Sequence, residues 1–294
     1  MDELVMRFLG TGAGEGVPTP FCRCRVCEQA RKKGGKEVRL RSSFRVSKEL
    51  MIDFGTDIFA SCIRNHTDLY DLKYLLVTHT HEDHFDIFNL FLKPMISRGN
   101  GEKVHVYLNG KAYDLLERFD SMGLDGEKRF FSDHAEKDYE FHRLCFWKEE
   151  AIGDFLVTPV KGEHRAHLEE NSANYYIVLP NGKNMVYALD TGYYGDETFE
   201  FLKGKKLDYF IVESTFGSAD RGERPYSHLD LNSVYHLCEK LFEQQTITEK
   251  TEVYLTHINQ EQDYTHEEMV EECRGRKTPF HVTVAYDGLQ IDSK

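Results

Sequence analysis

The sequence predicts an α/β protein built from layered sheets, and three observations lead there. Short apolar runs, partly β-branched or aromatic, recur at residues 5–9, 43–46, 73–77, 104–108, 155–160, 175–179, 185–189, 209–212, 253–255 and 282–285. Helical patterns lie between several of them, at 87–96, 112–119, 197–202, 231–242 and 266–272, and such alternation marks an α/β chain. Four of the runs end on a polar group able to carry chemistry: Val77-Thr78 runs into His79, Leu189 into Asp190, Val212 into Glu213 and Thr256 into His257. Polar groups at successive strand ends are what a site at the edge of a layered sheet requires.

The elements follow in order. The first run opens into Gly10-Thr11-Gly12-Ala13-Gly14-Glu15-Gly16-Val17-Pro18, whose spacing is not G-x-G-x-x-G and which meets Val-Pro where a helix should begin. That argues against a dinucleotide loop. Next comes Cys22-Arg23-Cys24-Arg25-Val26-Cys27, three thiols in six residues of a turn region, matching the short bite of a structural zinc knuckle. A CxxC redox centre is the competing reading. Cys62, Cys145, Cys238 and Cys273 stand alone in apolar or helical contexts and read as buried fillers. Asn181-Gly182, between the runs at 175–179 and 185–189, is a hairpin turn signal, so part of the sheet is expected to be antiparallel.

The most specific signal is His79-Thr80-His81-Glu82-Asp83-His84, delivered by the run at 73–77. Imidazole and carboxylate together suit zinc, manganese or iron(II) rather than a hard, oxygen-only cation. The hexapeptide cannot complete two metal sites alone. Further candidates are His164, after the 155–160 strand and a short loop containing Gly162, then Asp190 and His257 at their strand ends. His66, His105, His134, His142, His167, His236 and His281 are scattered and read as surface or hydrogen-bonded residues, with His167 close enough to His164 to serve as an accessory group.

Composition narrows the classes. With 294 residues and 40% apolar content the chain can bury a large core, and 7 prolines argue against a fibrous or disordered chain. A net charge of −13 argues against a non-specific grip on nucleic acid, which needs surplus Lys and Arg to neutralise phosphates. No apolar stretch approaches 18 residues, so no membrane span is expected. The acidic start, Met1-Asp2-Glu3-Leu4, lacks a signal-peptide core. The expectation is a cytoplasmic protein with its 7 cysteines reduced or metal-bound. A homodimer, the commonest soluble assembly, is compatible with it.

The ordered set His79-x-His81-x-Asp83-His84, His164, Asp190 and His257 resembles the metallo-β-lactamase fold superfamily. The resemblance spans nearly the whole chain and implies a single hydrolase domain over residues 1–294, folded as a four-layer αββα sandwich. It implies one divalent metal on His79, His81 and His164, another on Asp83, His84 and His257, and Asp190 bridging them. Two such ions, zinc or manganese with iron(II) as a further option, can share a water and make it hydroxide near neutral pH.

The glycine-rich stretch, the cysteines and Arg39-Leu40-Arg41-Ser42-Ser43 resemble the branch that includes the phosphonate-pathway cyclic phosphodiesterase. There the structural zinc takes three cysteines at this spacing and a histidine three residues after the last active-site ligand. This chain has Gln260 at that position, so either water, His266 or another residue completes the site on Cys22, Cys24 and Cys27, or the site stays vacant. Glu213-Ser214-Thr215-Phe216 followed by Tyr226-Ser227-His228-Leu229 resembles the phosphodiesterase members. It implies His228 as the group that stabilises or protonates the leaving oxygen, with Glu213 orienting it. The alternative for His228 is a plain helix-start residue.

These readings lead to a metal-dependent phosphodiesterase acting on a small or cyclic phosphodiester, with Asp83, His228 and Glu213 in its catalytic machinery. The competing functions are a tRNA 3′-processing endonuclease, a thioester or lactone hydrolase on the same metal core, and a non-catalytic binding or redox module. Net charge weighs against the first, the His228 segment against the second, and the full ligand set against the third.

Overall fold

The computed structural model describes residues 4–96, 101–122 and 136–292. The readings made on Met1–Glu3 and His134 lie outside them. In chain order the strands are β1 (Met6–Gly10), β2 (Ser43–Arg45), β3 (Leu50–Ile52), β4 (Tyr74–Leu76), β5 (Val104–Asn109), β6 (Tyr139–Leu144) and β7 (Glu150–Ile152). They continue with β8 (Phe155–Arg165), β9 (Asn171–Val178), β10 (Asn184–Ala188), β11 (Tyr209–Glu213), β12 (Glu252–Thr256), β13 (His281–Val284) and β14 (Gln290–Ile291). The helices are α1 (Arg25–Lys33), α2 (Ile58–Arg64), α3 (Leu92–Met95), α4 (Gly110–Met122), α5 (Asp196–Leu202), α6 (Leu231–Glu243) and α7 (His266–Gly275).

Two seven-stranded sheets result, in the orders β14-β1-β2-β3-β4-β5-β6 and β13-β12-β11-β10-β9-β8-β7. Each is mixed: β3 to β6 run parallel in the first, and β10 to β13 in the second. The remaining neighbours are antiparallel, including β9 and β10 across Asn181-Gly182, where Gly182 takes φ +80°. The hairpin expectation is met there.

The sheets pack face to face through alternate side chains. Phe8, Phe44, Tyr175, Tyr187 and Ile211 fill the space between them, and Phe44 stacks on Tyr187 at 5.7 Å across the interface. Ile58 of α2 and Ala112 and Leu116 of α4 cover the outer face of the first sheet, over Leu75 and Val106. Phe199, Val234, Leu237, Cys238, Leu241 and Met269, from α5, α6 and α7, cover the second. Each fully buried Leu or Phe there contributes about 1.5–3 kcal/mol. The order helix, sheet, sheet, helix is the four-layer αββα sandwich. α6 begins with a reciprocal cap: Asp230 accepts from the Asn232 and Ser233 amides while Ser233 Oγ accepts from the Asp230 amide. Among the described residues no helix is long and apolar enough to cross a membrane.

Several expectations need correcting. The strands at 50–52, 139–144, 150–152 and 290–291 carried no usable pattern, being very short or, in β6, rich in charge. Residues 87–96 form a 3₁₀ turn (Ile87–Phe91) followed by the single turn α3, because Pro94 offers no N–H to a longer helix. His164 does not follow a loop. It lies within β8, past a register shift between Lys161 and Arg165 that contains Gly162. Of the isolated cysteines, Cys238 and Cys273 are buried, Cys62 is half-buried and Cys145 is exposed.

Candidate metal centre

The C-terminal ends of the parallel strands point to one place. β4 leads to His79, β10 to Asp190, β11 ends on Glu213 and β12 leads to His257. Asp190 and His257 turn off their strands with φ of +50° and +55°, in the left-handed region that L-residues enter at a cost of about 1–3 kcal/mol. The turn back from each strand aims the side chain across the sheet edge. β8 adds His164 from the antiparallel half of the second sheet.

Two donor clusters form. His79, His81, His164 and Asp190 make one; Asp83, His84 and His257 make the other. In the first, His81 Nδ1 lies 3.0 Å from His79 Nε2 and 3.3 Å from His164 Nε2. In the second, His84 Nε2 lies 3.2 Å from His257 Nε2. Asp190 reaches both. Its Oδ2 is 3.4 Å from His79 Nε2 and 3.7 Å from His164 Nε2, while its Oδ1 is 3.3 Å from His84 Nε2 and 2.9 Å from His257 Nε2. Although close to these rings, Oδ1 is buried and makes no well-directed hydrogen bond.

The donors fit a pair of divalent ions. Nitrogen ligands about 2.0–2.1 Å from a tetrahedral zinc stand roughly 3.3 Å apart, which is the spacing found here. Burial pushes His79, His81 and His164 below the ordinary imidazole value, leaving lone pairs free for a cation. Burial opposes charge on His257 as well, but Asp190 and Asp83 prevail and push it up to about 10. Burial is likewise overcome at His84 by Asp83, Asp190 and Asp53, which raise it well above its usual value. The carboxylates thus demand positive charge at the second cluster.

The ring nitrogens that face away from the clusters are held. His84 Nδ1 meets Asp53 Oδ2 at 2.7 Å, His257 Nδ1 meets Thr215 Oγ1 at 2.9 Å, His164 Nδ1 meets Ser227 Oγ at 2.8 Å, and His79 Nδ1 meets Thr78 Oγ1 at 3.1 Å. Such outer contacts fix ring orientation and tautomer. Sequence reasoning missed Asp53, Thr78, Thr215 and Ser227. It also missed Glu170, a buried carboxylate pushed up to about 7 by burial, which accepts from the Thr80 amide and from Asn109. The strand-end rule that found His79 and Asp190 also fits Asp53, which directly follows the apolar β3.

His228 stands beside this centre. Its Nδ1 is 2.9 Å from Glu213 Oε2, and its Nε2 is 4.0 Å from Asp190 Oδ2. Burial would lower its pKa, but Glu213 and Asp190 outweigh that and raise it. Glu213, fully buried, also accepts from the Thr191 amide at 2.7 Å and from Thr215 Oγ1. One carboxylate therefore positions the Asp190 turn, the support of His257, and His228. His228 lies ahead of α6 rather than starting it. His167 is exposed, its ring edge-on to His81 at 5.2 Å.

The glycine-rich stretch lines the centre instead of cradling a nucleotide. A Cβ on Gly14 would sit 3.2 Å from Asp83 Oδ2, and the Ala13 amide donates to Ile258 O, next to His257. Cys22, Cys24 and Cys27 bring their sulfurs within 4.8 Å of one another. Cys24 caps α1, so the expected turn is a helix start, with Cys27 in its first turn. Burial pushes the Cys27 thiol up to about 11. Gln260 Oε1 accepts from Thr19 Oγ1 at 3.0 Å, on the loop whose carbonyl receives the Cys22 amide. His266 is not among these donors: its Nδ1 faces the buried Arg39 guanidinium at 3.1 Å, which holds the ring away.

Comparison with known proteins agrees with this fold. The family model described as "Beta-lactamase superfamily domain" matches residues 49–258. No curated protein sequence matches the chain significantly. Among solved structures, a diphosphatase from the PhnP family is similar with a TM-score of 0.70 and 22% identity, over 99% of this chain and 98% of that one. Zinc-bound PqqB from Methylobacterium extorquens has a TM-score of 0.70 and 18% identity, over 98% and 100%. The short form of human tRNase Z has a TM-score of 0.62 and 18% identity, over 98% and 99%. With its αββα layers and the match over residues 49–258, the chain belongs to the β-lactamase superfamily, whose members are metal-dependent hydrolases of the metallo-β-lactamase fold.

Proposed function

We propose that this protein is a phosphodiesterase acting on a small or cyclic phosphodiester. The observation that carries the reading is the His228–Glu213 pair set beside Asp190. His79, His81 and His164 would hold one divalent ion, Asp83, His84 and His257 a second, and Asp190 would join them. When bound, such ions polarise a phosphoryl oxygen and activate water as the nucleophile. With Nδ1 tied to Glu213, His228 has Nε2 free to hold a proton facing the centre. A departing alkoxide needs that proton; a thiolate leaving from a thioester does not. The names of two similar structures, a diphosphatase and a tRNase, support phosphorus chemistry. The net charge of −13 favours a small substrate over a polynucleotide. We further propose zinc on Cys22, Cys24 and Cys27 as a structural ion.

The test uses metal-stripped protein restored with manganese or zinc. Two substrates are compared, bis(p-nitrophenyl) phosphate and a ribose cyclic phosphate, for wild type and His228→Ala. The variant should lose about 10²–10⁴-fold in kcat on the cyclic phosphate, whose leaving oxygen is basic, and far less on the aryl ester, whose leaving group needs little help. Absence of turnover on both substrates with either metal would falsify the reading.

A further inference from the structure

We infer that His105, Glu140 and His142 form a separate divalent-metal site at the edge of the first sheet, suited to an imidazole-preferring transition ion such as zinc. Along β5 the side chains of Val104, Val106 and Leu108 are buried under the outer helices, so His105 and Tyr107 project from the opposite face. β6 is the edge strand, and register places Glu140 opposite His105 and His142 opposite Tyr107. The period of two then sets Glu140 and His142 on the same face as His105.

The donor atoms converge. His105 Nδ1 lies 2.9 Å from His142 Nε2. Glu140 turns one oxygen to each ring, Oε2 at 3.8 Å from His105 Nδ1 and Oε1 at 3.8 Å from His142 Nε2. Both contacts are too long for hydrogen bonds; donors sharing one tetrahedral ion stand roughly 3.3 Å apart, so a small inward shift of Glu140 brings its carboxylate onto an ion shared with the two rings. Similar spacings occur among the donors around Asp190. The rings are braced: Tyr107 stacks on His142 at 4.7 Å, and Tyr74 lies against His105 at 6.0 Å. His105 and His142 are about one-third exposed and Glu140 one-half, so solvent can enter and water can complete the coordination. Two imidazoles and one carboxylate select zinc, copper or nickel over calcium or magnesium. The site is distinct from the centre at the strand ends: His105, Glu140 and His142 form a group of their own, sharing no donor with the clusters around Asp190. An ion here ties the edge strand β6 to β5.

The test counts zinc on the full chain after equilibrium dialysis at fixed free zinc, for wild type, Glu140→Gln and the double variant His105→Ala/His142→Ala. The double variant should hold one zinc fewer per chain, and Glu140→Gln should weaken that one equivalent by about tenfold or more. Hydrolytic activity should be unchanged in both. Equal zinc content in wild type and double variant at saturation overturns the inference. Should the double variant fail to fold, the wild-type chain decides. Zinc must protect His105 and His142 from diethyl pyrocarbonate, mapped by peptide mass, and equal labelling with and without zinc refutes the site.

Discussion

Asp53 and His84 share a 2.7 Å contact between Oδ2 and Nδ1, with both side chains shut off from solvent. The other carboxylate oxygen of Asp53 accepts from the Thr78 amide at 2.8 Å and the Thr78 hydroxyl at 2.9 Å. The carboxylate is thereby fixed and the imidazole aimed, with Nε2 toward His257. Asp53→Asn keeps the shape and removes the charge. Metal affinity at the cluster of Asp83, His84 and His257 should fall about 10–100-fold, with activity recovered at high metal concentration. Metal titration of the stripped protein checks this, and an unchanged affinity would mean that His84 is positioned without Asp53.

Gly55 lies against the backbone of Asp83. A Cβ there would come within 1.9 Å of the Asp83 carbonyl oxygen and 2.5 Å of its carbon, so the turn that carries Asp83 would have to move. Gly55→Ala should destabilise the protein by about 1–3 kcal/mol and weaken metal binding together. Denaturant unfolding with and without metal measures both. Loss of stability with metal affinity intact would show that the turn relaxes without disturbing Asp83.

The cysteine site proposed for zinc has three sulfurs, and Gln260 bonds to Thr19, whose carbonyl accepts from the Cys22 amide. A fourth nitrogen ligand would complete a tetrahedron. Gln260→His should slow zinc loss to a chelator, and Cys27→Ser should speed it and lower Tm. Zinc release followed with a chromogenic chelator reads both. A release rate unmoved by either substitution would separate these cysteines from zinc binding.

His266 is pushed down to about 4, chiefly by burial and then by Arg39 and Lys36. It also sits in the first turn of α7, where a positive charge opposes the helix dipole. The folded protein keeps this ring neutral, whereas the unfolded chain protonates it near 6.5. Its contribution to stability is therefore fully present above about 6.5 and lost as pH falls toward 4. His266→Gln cannot titrate, so the Tm difference between variant and wild type should shift in favour of the variant from pH 8 to pH 5. Parallel Tm curves would remove His266 from the acid response.

What the sequence disclosed depended on distance along the chain. The candidate ligands in residues 79–84 are visible because one turn supplies four of them, and Asp190, Glu213 and His257 because each ends a legible strand. Asp53 follows β3, whose three residues are too few to show a period. Thr215 and Ser227 act through space on rings far away in sequence, and hydroxyls in loops carry no pattern. His164 was recognised, yet its setting was not, since a register shift inside β8 looks like the end of a strand. Hydrophobic spacing marks α4, α5, α6 and α7 but not α1 and α2, and the four-layer arrangement was legible only through the family resemblance.

The candidate centre draws on both sheets: His79, His81, Asp83 and His84 come from the first, and His164, Asp190 and His257 from the second. Neither sheet alone presents a complete set of donors. An ion bound there is therefore a rivet, and its binding energy becomes cohesion between the two halves of the sandwich. Metal uptake should mark the end of folding rather than its start, because a chain whose sheets have met out of register has nothing with which to grip the ion. Possession of metal would then certify that assembly was correct, and the same atoms proposed to perform the chemistry would withhold it from any misassembled copy.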